Sequence, residues 1–174
     1  MLKPIKSRRF RAGDARFAIV ASRYNGRYVD SMLRAAAAEL KRAGARGVQV
    51  VRVPGAYEIP LVAARLARAG SLHAPRTTHH ASPFSAIICL GVILRGETVH
   101  AAHIGEAVSR TLMEIQVAHE VPVIHEVLLL ENEDQARARC LDPKRNRGRE
   151  AAQTALAMAQ VMASLRSGVS AERR

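Results

Sequence analysis

The sequence predicts an α/β protein in three layers, a four-stranded parallel sheet covered by helices on both sides. Three observations carry this prediction. Short apolar runs alternate along the chain with longer segments of helical period. The runs are apolar on both faces, as in parallel strands buried from two sides. Glycine and proline punctuate the junctions. The 174 residues, 48% hydrophobic and 24% charged, suit one globular domain with one sizeable core and exclude a chain disordered throughout.

Phe17 to Ser22 reads as the first strand, too short and too apolar for a helix. Residues 29–43 follow as an amphipathic helix that puts Met32, Leu33, Ala36, Ala37 and Leu40 on one face and closes at Gly44. Val48 to Val53 is the second strand, stopped by Pro54-Gly55. Residues 58–69 form the second helix, ending at Gly70. Ser85 to Leu90 is the third strand and residues 102–119 the third helix. Pro122-Val-Ile and Val127 to Leu130 flank a fourth strand. Helices at about 132–140 and 149–166 complete the chain.

One domain is expected over residues 16–166, with a basic N-terminal tail at 1–15 and a C-terminal tail at 167–174. Residues 71–84 (SLHAPRTTHHASPF) carry prolines and no apolar period, and read as an exposed inserted loop. His73, His79 and His80 in it lack acidic or cysteine partners at metal-ligand spacing, so no metal is expected. No apolar run approaches the ~20 residues that span a bilayer. Two cysteines, Cys89 and Cys140, exclude a disulfide scaffold and suit a reducing cytoplasm.

The net charge of +12 invites a nucleic-acid partner. The excess, however, sits in two clusters: +5 over residues 1–16 and +5 over 137–149, leaving +2 elsewhere. With only six aromatic residues in the chain, a stacking surface for nucleic acid is poorly supplied. Nucleic-acid binding on an α/β scaffold stays as the weaker reading.

In parallel α/β sheets, ligands bind outside the carboxyl ends of the strands. After strand one come Tyr24 and Asn25; the tyrosine ring suits stacking on a flat heterocycle, or caps the core. After strand two, Pro54-Gly55 forces a turn, and Ala56, Tyr57 and Glu58 lead into a helix, Glu58 being also a first-turn carboxylate favoured by the helix dipole. After strand three, Gly96, Glu97 and Thr98 have the makings of a phosphate cradle, with Gly96 allowing an unusual backbone turn. His100 starts the next helix, and imidazole is the side chain suited to proton transfer at neutral pH. His125 is read after strand four, Arg139 lies in a short helix, and Arg147 precedes the last helix; arginine forks suit phosphate.

These segments together resemble the lumazine synthases of riboflavin biosynthesis. The resemblance rests on Arg23-Tyr24-Asn25, VPGAYEIP at 53–60, LGVILRGETVH at 90–100, VPVI at 121–124, and Arg139 followed by Asn146-Arg147-Gly148. It implies a flavodoxin-like fold and the joining of 5-amino-6-(D-ribitylamino)uracil to 3,4-dihydroxy-2-butanone 4-phosphate, giving 6,7-dimethyl-8-ribityllumazine. It implies no cofactor and no metal. Tyr24 would stack on the pyrimidine; Asn25, Ala56, Tyr57 and Glu58 would hold the ribityl chain and its surroundings. Gly96, Glu97, Thr98 and Arg139 would line the phosphate site, with Arg139 coming from a neighbouring subunit. His100 would move protons, and His125 and Arg147 would border the pyrimidine. The resemblance further implies a pentamer with active sites between subunits and leaves a shell of pentamers open.

This sequence departs from the pattern in several places. Ala101 and Ala102 replace an aromatic residue and an acid, Ala107 replaces a glutamate, and His125 replaces an aromatic residue. His103 and Glu106 are the nearby groups that could compensate. A weakly active homologue that binds the pathway's ligands is the second reading these changes leave.

Overall fold

The structure, a computed structural model, describes residues 11–68 and 83–166. Four strands, β1 (Arg16–Ser22), β2 (Gly47–Val53), β3 (Ala86–Leu94) and β4 (Val123–Leu130), form one parallel sheet in the order β2-β1-β3-β4. Helices α1 (Gly26–Arg42), α2 (Ile59–Arg68), α3 (His100–His119), the one-turn α4 (Glu133–Ala136) and α5 (Arg147–Arg166) connect and follow them; a wide π-type turn, Arg137–Leu141, extends α4. The expected three-layer α/β/α architecture is therefore present. Its strand order is that of flavodoxin-like sheets, whose winding reverses between β1 and β3.

Alternation along each strand sends neighbouring side chains to opposite layers. Phe17, Ile19 and Ala21 of β1 join Ile88 and Leu90 of β3 under α1 and α5, against Val29, Met32 and Leu40 and against Ala151, Ala152 and Ala155. Ala18, Val20, Ile87 and Cys89 pack under α2 and α3, with Ile59, Ala63, Val108 and Leu112. Each large side chain so buried contributes about 1.5–3 kcal/mol. The small residues of α5 let it approach α1 closely. At Gly148 an added Cβ would lie 2.0 Å from the Met32 carbonyl oxygen.

Several boundaries differ from the sequence expectation. β3 does not stop at Leu90 but runs to Leu94, through Gly91. A Cβ at Gly91 would meet Val127 Cγ1 at 3.0 Å and Ile59 Cδ1 at 3.3 Å, so this glycine serves close packing inside the strand. β4 is one unbroken strand that contains His125 and Glu126. α1 begins at Gly26, α3 at His100, and α5 at Arg147. Residues 11–15, expected in the tail, form a turn in which Ala12 N–H donates to Ala43 O at 2.8 Å. Phe84, expected in the exposed loop, is buried in the α2/α3 core, with the Arg16 guanidinium 5.9 Å from its ring centroid. The tail at 1–10, the loop at 71–82 with its three histidines, and the tail at 167–174 lie outside the described residues.

Candidate active site

The carboxyl ends of β1, β2 and β3 meet where the winding reverses, and backbone hydrogen bonds tie them together. Arg23 N–H donates to Val53 O at 2.8 Å, and Tyr24 N–H to Pro54 O at 3.1 Å. Asn25 adopts a left-handed backbone at φ 54°, a region asparagine enters more readily than most residues. Its side-chain Nδ2 donates to Val92 O at 2.8 Å. The turn after β1 is thereby fastened to β2 on one side and β3 on the other.

Tyr24 leaves 73% of its surface exposed, so it does not cap the core. Its ring lies over Gly55. A Cβ there would sit 3.2 Å from Tyr24 Cδ2 and 3.0 Å from Glu58 Oε2. Gly55 is thus the residue that lets Tyr24 and Glu58 close on the same turn. Glu58 Oε2 accepts the Gly55 N–H at 2.8 Å, a local use of the carboxylate that closes the turn into α2. Ala56 is buried beneath the turn, and Tyr57 is exposed beside it.

β3 leaves the sheet at Leu94. Arg95 N–H donates to Leu130 O at 2.8 Å, and the Arg95 guanidinium pairs with Glu131 at 3.1 Å. Gly96, Glu97 and Thr98 form an exposed turn, and His100, also exposed, is the first residue of α3. Gly96 is not among the glycines of positive φ, and a Cβ there meets nothing within 4 Å. The unusual turn expected at Gly96 is therefore not present; what the glycine provides is bare surface at the approach to α3. Val99, the N-cap residue of that helix, makes no side-chain cap, an arrangement of helix N–H groups that suits an anion. Glu106 is engaged by Arg110 at 2.9 Å one turn further on.

The remaining expected residues do not join this group within one chain. His125 does not follow β4; it lies inside the strand, opposite Cys89. That is five residues, roughly 16 Å, short of the carboxyl end. It faces α3, lining a pocket of about 270 Å³ with Ser109, Leu112, Met113 and Gln116. Its Nε2 lies 2.9 Å from Ser109 Oγ, and burial lowers its pKa. Arg147 stands on the opposite face of the sheet, in the first turn of α5 rather than before it. Arg139 is exposed on the π-type turn. Asn146, buried, caps α5 by accepting the Gly148 N–H at 2.9 Å, and its Nδ2 donates to Cys140 O.

Glu126 was not singled out by the sequence, although a carboxylate inside the apolar run VIHEVLLL was the available signal. It is 4% exposed and accepts Arg147 Nε at 2.7 Å. Burial raises its pKa above the usual carboxylate range, while Arg147 and Arg139 oppose the rise. The thiols fit packing rather than chemistry. Burial raises that of Cys89, and burial with nearby Glu126 pushes Cys140 up to about 11. Among the described residues no cluster of metal-ligating side chains occurs, and no helix is long and apolar enough to cross a membrane.

A doubly wound α/β domain with an exposed aromatic ring on a fastened turn at the reversal of the sheet, and a histidine at the helix start that follows β3, belongs to the flavodoxin-like class of α/β folds. Comparison with known proteins narrows the class. The family model for 6,7-dimethyl-8-ribityllumazine synthase matches residues 14–163. A 6,7-dimethyl-8-ribityllumazine synthase of Stenotrophomonas maltophilia is 40% identical over 153 residues, covering 87% of this chain and 91% of the relative. One from Xanthomonas campestris is 39% identical over 150 residues, 85% and 90% of the two chains. The chain belongs to the 6,7-dimethyl-8-ribityllumazine synthase family, transferases of riboflavin biosynthesis.

Proposed function

We propose that this chain condenses 5-amino-6-(D-ribitylamino)uracil with 3,4-dihydroxy-2-butanone 4-phosphate, releasing phosphate and water, at the carboxyl edge of the sheet. The observation that supports the reading is the turn in which Tyr24, Asn25 and Gly55–Glu58 close together and fasten to β3 at the β1/β3 reversal, with Gly96–His100 following the same strand, in a chain of this family. Tyr24 stacks on the pyrimidine, whose flat π-face its exposed ring matches. Asn25, Ala56, Tyr57 and Glu58 border the ribityl chain. Gly96, Glu97, Thr98 and the start of α3 take the phosphate, using N–H donors and the helix dipole.

The chemistry asks little of a nucleophile. An amine adds to the ketone, one water leaves as the imine forms, phosphate is eliminated, and the second amine closes the ring on the remaining carbonyl with loss of a second water. Holding two reactive partners in line supplies up to roughly 7–11 kcal/mol. His100, at the mouth of the site, moves the protons and adds on the order of 10²–10⁴ in rate.

The separation of His125, Arg139 and Arg147 from this cluster supports a site completed by a neighbouring copy. The enzyme works as a cytoplasmic pentamer in which Arg139 reaches the next subunit's phosphate site and His125 the wall over its pyrimidine, with Arg147 bordering the pyrimidine. Purified protein given both substrates should form the lumazine, read by absorbance. A folded oligomer that binds the product without turnover would instead favour the weakly active homologue. Mixed oligomers of inactive His100→Ala and Arg139→Ala chains should regain part of the activity; none regained would refute the shared site.

A further inference from the structure

Glu126 is the one buried carboxylate on β4, and it points into the layer of α1 and α5 beside Ile124 and Leu130. A carboxylate taken out of water costs several kcal/mol unless it is paired. Its partner is Arg147, about one-third exposed, whose Nε donates to Glu126 Oε1 at 2.7 Å while its Nη1 donates to Glu150 Oε2 at 2.5 Å. Two edges of the guanidinium are thus held by acids from two elements, β4 and α5. Nη2 has no partner among the described residues.

We propose that Glu126 is a positioning residue for Arg147: together with Glu150 it fixes the plane of the guanidinium and leaves Nη2 as the donor presented to the pyrimidine. The proposal rests on the reading of Arg147 as a pyrimidine-side group. A planar fork with two edges held loses little rotamer freedom when its third nitrogen engages a ligand. The acids also cancel the cation's charge, so the donor suits a neutral carbonyl oxygen better than a phosphate. A conserving change at Glu126 keeps the acceptor, and a truncation removes it.

Steady-state kinetics of the assembled protein with both substrates, and fluorescence titration of the lumazine product, test the proposal. Glu126→Ala should raise KM for the aminopyrimidine about tenfold and weaken product binding alike. KM for the butanone phosphate and kcat should stay within about twofold, the pattern of lost uniform binding. Glu126→Gln, which keeps an oxygen toward Nε, should recover most of the loss. In an Arg147→Ala background, Glu126→Ala should add nothing further. An unchanged aminopyrimidine KM in Glu126→Ala, or its full effect persisting without Arg147, overturns the positioning role. Arg147→Ala with unaltered KM and product affinity overturns the assignment of Arg147 itself, and the proposal with it. Should Glu126→Ala fail to fold, Glu126→Gln with wild-type parameters beside a failing Glu126→Leu of normal unfolding temperature still supports it; Glu126→Leu with wild-type parameters refutes it.

Discussion

Gly148→Ala puts one methyl group where the backbones of α1 and α5 meet. The added Cβ would fall 2.0 Å from Met32 O, 2.5 Å from its carbonyl carbon and 2.6 Å from its Cα. The obstacle is backbone on both sides, so no rotamer relieves it. Carbon–oxygen contact needs about 3.3 Å, so the two helices must part by roughly 1.3 Å. Overpacking of this kind costs about 1–3 kcal/mol, which for a chain of this size lowers Tm by about 2–12 °C. Arg147 is the adjacent residue, so its 2.7 Å bond to Glu126 is the polar contact nearest the displacement. Thermal unfolding by circular dichroism at fixed protein concentration measures the destabilisation, and aminopyrimidine KM reads whether it reaches that contact. Gly96→Ala is the control: its Cβ meets nothing, so Tm should stay within about 1 °C, while KM for the butanone phosphate rises. An unchanged Tm for Gly148→Ala would refute the close approach of α1 and α5.

Other outcomes follow from the same geometry. Tyr24→Ala should raise aminopyrimidine KM about 5- to 150-fold, the range of an aromatic–base stack of roughly 1–3 kcal/mol, with Tm hardly moved because the ring is exposed; equal KM values would remove Tyr24 from the site. Asn25→Ala loses the bond to Val92 O and puts in the left-handed region a residue that tolerates it less than asparagine, about 1–3 kcal/mol together, whereas Asn25→Gly should cost less. The same Tm for both variants would contradict the strain argument. Burial lowers the His125 pKa, so the unfolded chain takes up that proton more readily than the folded one. The stability this gives is present above about pH 6.5 and fades as pH falls through that value toward the lower folded pKa. Urea unfolding of His125→Gln should lose this dependence just below pH 6.5, and an unchanged pH profile would show that His125 does not cause it.

Much of the fold was legible because its strands are short apolar runs, β1 and β3 almost wholly buried and the edge strand β2 partly open. Runs such as Phe17–Ser22 and Val48–Val53 have no competing helical period, and Met32, Ala36 and Leu40 mark the buried side of α1. Legibility failed where one residue type serves two purposes. Gly91 and Gly148 look like punctuation, yet one admits Ile59 and Val127 inside a strand and the other admits the backbone of α1. His125-Glu126 interrupts an apolar run, yet the pleat sends the histidine to Ser109 and the glutamate to Arg147. Those partners lie 16 and 21 residues away, so local pattern could not supply them. The carboxyl-edge residues could be singled out because ligands of parallel α/β sheets bind outside the strand ends. Their grouping required the strand order, which the sequence pattern alone leaves open.

The most direct test of the account is the initial rate of lumazine formation by wild type and His100→Ala at saturating substrates. His100 is exposed on the first turn of α3, so its removal should leave Tm and assembly intact. The account predicts robust turnover by wild type and a kcat lower by about 10²–10⁴ in the variant. Equal rates would contradict proton transfer by His100 and reduce the site to positioning alone.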